Sequence, residues 1–172
     1  MDFVGNDAWF TVLLVLHVVG AVIGLGPTFA YSVLGPLSAK SGPEGGLALM
    51  EGMQKIEDRI VNPILLTMQP LTGVGLIFNR GLNNDFFASD KLWLIGGISA
   101  YAVATYIALA IANPTQKRMI ALAKSGDAAT PAFGALATKM SKVGPVLAML
   151  GVVVVVLMAW KPGGNCGPLI RC

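Results

Sequence analysis

Four long stretches of this chain carry no charge, and that decides what it can fold into. Between Asp7 and Lys40 lie 32 residues without Asp, Glu, Lys or Arg; Arg59 to Arg80 encloses 20, Lys91 to Lys117 encloses 25, and Lys142 to Lys161 encloses 18. A helix rises roughly 1.5 Å per residue, so each window can cross a hydrocarbon core of about 30 Å. Inside that core the backbone must satisfy its own hydrogen bonds, which leaves helices as the solution for isolated apolar windows. The expected fold is an all-α membrane protein: one four-transmembrane-helix bundle over residues 1–172, with spans near 9–35, 60–80, 91–113 and 143–161. A net charge of +3 is too small for a surface that tracks phosphates, so no nucleic-acid partner is expected. The expected partners are the lipid bilayer and other membrane subunits or further copies of the chain.

The first window is apolar enough to be mistaken for a secretory leader. Asp2 and Asp7 precede it and no Lys or Arg does, so an uncleaved first span is expected. Orientation follows from the basic residues near helix ends. The first and third connections hold eight (Lys40, Lys55, Arg59, Lys117, Arg118, Lys124, Lys139, Lys142), against four (Arg80, Lys91, Lys161, Arg171) elsewhere. This bias puts those connections in the cytoplasm of a bacterial plasma membrane and both termini outside. Trp9, Trp93 and Trp160 fall at the opposite ends of the spans, as amphipathic rings in a headgroup layer would. The sequence GPEGGLALMEGMQKIEDRIVNP spaces Leu47, Leu49, Met50, Met53 and Ile56 as on an amphipathic helix leading into span two. NPTQKRMIALAKSG extends span three past a kink at Pro114, and Thr130-Pro131 reads as an N-cap followed by an N1 proline. These are the cytoplasmic helical extensions. Cys166 and Cys172, both in the tail, can pair as a disulfide outside the membrane; two free thiols, or a metal pair lacking other ligands, are the alternatives.

Span one carries the most information. Gly20 and Gly24 are four apart and open a helix-packing groove, and Phe10, His17, Gly24 and Tyr31 recur every seven residues on one face. His17 is the only histidine, and an ionisable side chain within a span is by default a functional candidate. Counting about 12 Å inward from Trp9, Arg80 and Trp93 sets His17 level with Thr72 and Tyr101, with Gln69 one turn deeper. A His17–Gln69–Thr72–Tyr101 polar layer either fixes helix register or binds a cofactor, haem or quinone. No Asp or Glu falls in the four spans as bounded above, so zinc, di-iron and carboxylate-driven proton chemistry lack their ligands there. Pro63 and Pro70 are placed to bend span two.

The string LHVVGAVIGLGPTFAY in span one, IEDRIVNP entering span two and TGVGL within it resemble a family of bacterial predicted integral membrane proteins with four spans and no established activity. GLGPTFAY and Arg59-Ile60-Val61-Asn62-Pro63 are the specific elements. More distantly, a span-one histidine before a glycine-rich turn is similar to membrane proteins of the copper-resistance D and protoporphyrinogen-oxidase J types. That resemblance implies haem or copper handling, with His17 at the matching position; the chain lacks the Trp-Gly-Gly pattern after it and any second histidine. Three functions stay open at this stage. The first is a non-catalytic scaffold or accessory subunit of a larger membrane assembly. The second is a haem- or quinone-binding redox protein using His17, and the third is a small-solute transporter.

Overall fold

A computed structural model describes residues 4–162 of the protein. Cys166 and Cys172 lie outside those residues. The described chain contains four helices long and apolar enough to cross a membrane. The first, α1 (Asp7–Lys40), begins on an N-cap: the Asn6 side chain accepts from the backbone N–H of Ala8 and Trp9. It runs through Pro27 and Pro36 and stops where Ser41 turns its N–H back to the Ser38 carbonyl.

The second crossing is one continuous helix from Gly42 to Asn79. It comprises α2 (Gly42–Ile56), π-helical turns at Glu57–Val61 and Ile64–Met68, and α3 (Gln69–Asn79). The amphipathic extension is therefore continuous with the span. The third crossing, α4 (Leu92–Ile107), passes through a π turn at Ala108–Ala112 into α5 (Asn113–Lys124). The fourth, α6 (Pro131–Trp160), starts at Thr130, whose hydroxyl accepts from the Phe133 N–H, and runs through Pro145. Both helix bounds and extensions thus exceed the uncharged windows.

Each of the three π turns stands one residue short of a proline: Pro63, Pro70 and Pro114. Proline has no N–H to give and its ring crowds the carbonyl four residues back, and at these three places the preceding turn opens by one residue, whereas α1 passes Pro27 and Pro36, and α6 Pro145, without a π turn. At Pro114, where the sequence suggests a kink, the helix carries the π turn Ala108–Ala112.

Packing runs round a ring of four. α1 lies along the whole second crossing, the second meets the third at the Lys-rich end, α4 lies along α6, and α6 returns to α1. Small residues make these approaches possible. A methyl placed on Gly75 would stand 3.1 Å from Leu13, one on Gly96 would stand 3.3 Å from Leu157, and one on Gly151 would stand 3.8 Å from Leu25. At the end bearing Trp9, Trp93 and Trp160, Arg80 bridges Asp7 at 3.0 Å and caps the Phe10 ring at 3.8 Å. Gly5 donates to the Asn79 carbonyl there, and Asn79 is fully buried.

Candidate functional site

The seven-residue stripe of α1 faces the second crossing along its full length. Phe10 meets Arg80, His17 meets Thr72, Gly24 meets Leu65, and Tyr31 donates to the Met53 carbonyl at 3.2 Å. His17 therefore points into the seam and not at lipid. Its Nδ1 lies 3.0 Å from the Thr72 Oγ1. The Thr72 hydroxyl has one hydrogen and spends it on the Met68 carbonyl at 2.6 Å. The bond to His17 must then run the other way, with Nδ1–H donating. The ring also lies within hydrogen-bond reach of the Gln69 backbone. Gly73 makes room for the imidazole: a Cβ there would come within 3.2 Å of its Cε1.

Gly20 and Gly24 are filled from the same direction. A Cβ on Gly20 would stand 2.5 Å from Gln69 Oε1 and 2.6 Å from Met68 Cε, and one on Gly24 would stand 2.9 Å from Leu65 Cδ2. Gln69 is 8% exposed and its Oε1 has no hydrogen-bond partner. It rests against the Gly20 backbone, where only weak C–H···O contact is available. His17, Thr72 and Gln69 thus form one cluster on the α1 seam.

Tyr101 does not join it. The Tyr101 hydroxyl donates to the Leu65 carbonyl, two turns away from Thr72 along the helix. The reason lies in the backbone. In the π turn, the Gln69 N–H reaches back to the Ile64 carbonyl, and Pro70 offers no N–H, so the Leu65 carbonyl turns outward to a donor from α4. Counting depth along straight helices could not find this partner.

A second polar group went unnoticed in the sequence because Glu57 and Asp58 fall just outside the span bounds drawn there. On the continuous helix Glu57 is half-buried and Asp58 is exposed. Glu57 lies beside Tyr31 on the α1 side. On the opposite side Asp58 bridges Lys117 at 3.0 Å, with Gln54 and Asn113 close beside its carboxylate. Gln54 Nε2 donates to Asn113 Oδ1 at 2.7 Å, and Glu51 pairs with Lys124 at 2.6 Å. The signal was present as two i, i+4 pairs, Gln54–Asp58 and Asn113–Lys117, on helices that run antiparallel. The GLGPTFAY element reaches the second crossing here, through Tyr31 and the Met53–Glu57 turn. Among the described residues no three His, Cys, Asp or Glu converge as a metal site.

Four lipid-length helices packed through glycines define a multi-pass integral membrane protein of the four-helix class. The model of the predicted integral membrane protein family DUF2269 matches residues 11–162. The chain belongs to that family, whose function is unknown. This is the closer of the two resemblances read from the sequence; likeness to the copper-resistance D type is not shown. No curated protein and no solved structure matches the chain.

Proposed function

We propose that this protein is a non-catalytic membrane subunit, a four-helix scaffold that associates within the bilayer with other membrane chains or with copies of itself. The observation that supports this reading is where the intramembrane polar groups point. His17 is spent on Thr72 and Tyr101 on Leu65, so each fixes the register of one helix on another, while the Thr72 hydroxyl bonds back to Met68 within its own helix. The outward faces of α1 and α6 are instead valine-rich, with Val12, Val15, Val22, Val152 and Val155 exposed. In a bilayer such faces meet lipid tails or a neighbouring helix equally well. Purification in mild detergent followed by native mass spectrometry tests the reading. A complex heavier than one chain, held without cofactor mass, is expected; a cofactor-loaded single chain would overturn it.

The orientation belongs to the same proposal: both termini outside a bacterial plasma membrane and the Lys-rich connections in the cytoplasm. The bias of basic residues and the grouping of three tryptophans at the other end support it. A C-terminal reporter active in the cytoplasm would refute it.

One observation favours a second reading. Thr72 holds the His17 ring inside the membrane, and a neutral imidazole so placed can ligate haem iron or accept from a quinol hydroxyl. When bound, such a group would supply electron transfer; His17 would hold it and Thr72 would orient the ring. Absorbance spectra decide between the readings. A Soret band lost in His17→Phe supports the haem form, and quinone extracted from the wild type but not the variant supports the other.

A further inference from the structure

We infer that Tyr101 and Pro70 are two halves of one device: Pro70 opens the second crossing inside the membrane, and the Tyr101 hydroxyl closes the opening and thereby fixes how the third crossing sits on the second. The argument starts from the backbone. A proline at position 70 removes the N–H that would serve a carbonyl one turn back, and the helix responds with the π turn at Ile64–Met68. Within that turn the Gln69 N–H is committed to Ile64. The Leu65 carbonyl loses its α-helical partner, Gln69, and its π-helical partner would be Pro70 itself.

Depth makes this consequential. Leu65 lies 15 residues from Arg80, about 22 Å along the helix, and so within the hydrocarbon core. Water does not reach there to supply a donor, and an unpaired carbonyl in that medium is strongly disfavoured. The donor comes from α4, as the half-buried Tyr101 hydroxyl. A phenol is suited to this place because its ring packs among apolar neighbours while one O–H reaches the backbone. Tyr101 is therefore a positioning residue for the third crossing, and its requirement is created by a proline 31 positions earlier in the chain. This role is independent of the subunit reading and assigns Tyr101 away from the His17 cluster.

A double-mutant cycle on the full chain in detergent tests the pairing. Tyr101→Phe should lower the thermal midpoint by about 2–4 °C or more and speed amide exchange across residues 64–71. Pro70→Ala returns an N–H to the helix, so in that background Tyr101→Phe should shift the midpoint by less than half as much. Equal shifts in both backgrounds would overturn the inference. Should Pro70→Ala not fold, the Leu65 carbonyl carbon resonance decides: it should move on Tyr101→Phe by more than those of Ile64 and Leu66. An unmoved Leu65 resonance would refute the pairing.

Discussion

Gly20→Leu is expected to weaken the α1 seam, and its size can be worked from the contacts. A Cβ at position 20 stands 2.5 Å from Gln69 Oε1 and 2.6 Å from Met68 Cε before the rest of the leucine is added. Both atoms end flexible side chains, but Gln69 is 8% exposed and has little space to retreat. Overpacking of this kind costs typically about 1–3 kcal/mol, while replacing a helical glycine returns about 0.8–1.0 kcal/mol of propensity. The three further side-chain carbons put the result at the upper end, a net loss of roughly 1–2 kcal/mol, or about 2–8 °C in midpoint for a chain of this size. Gly52→Leu is the matched control: Gly52 is exposed on α2, and a Cβ there meets nothing within 4 Å. That variant should be unchanged or slightly more stable. Thermal unfolding of both proteins in the same detergent is the assay. Equal shifts, or a Gly20→Leu midpoint at or above wild type, would show that α1 does not pack on the second crossing through this groove.

His17→Phe should keep the bundle assembled and lower the midpoint by no more than about 2–3 °C, since a single interhelical hydrogen bond in a membrane averages about 0.6 kcal/mol; size-exclusion chromatography showing aggregation would contradict the register role. Thr130→Ala removes the hydroxyl that accepts from Phe133 and should cost about 1 kcal/mol, with exchange rising in the first turn of α6 and not beyond it. Arg80→Ala should lower stability modestly at low salt and less at high salt, because its partner Asp7 is largely exposed and the 3.0 Å bridge is open to screening. A salt-independent loss would assign the effect to the Arg80–Phe10 stack instead.

Much of the fold was legible before any coordinates. Uncharged windows of bilayer length, glycines four apart and the Thr130-Pro131 start are local signals, and in lipid the helical backbone follows from them because nothing else satisfies its polar groups. The seven-residue stripe of α1 was also readable, since periodicity on a regular helix determines which side chains share a face. His17 and Thr72 were brought level by counting residues, and the count held because the segment from Thr72 to Arg80 contains no π turn.

Below Pro70 the same counting failed. Each π turn inserts one residue and rotates the helix beyond it by about 100°, so two such turns change which side chains face α1 and which face α4. That rotation turned the Leu65 carbonyl toward Tyr101 and set Gln54 and Asp58 against Asn113 and Lys117. It also left Glu57 beside Tyr31, where a span boundary drawn at the last charge had excluded it. The sequence by itself determined that there are four membrane helices, because that depends on composition and on backbone hydrogen bonding within each segment. Which polar group finds which partner was decided only by the tertiary structure, because it depends on the relative rotation and register of helices far apart in the chain.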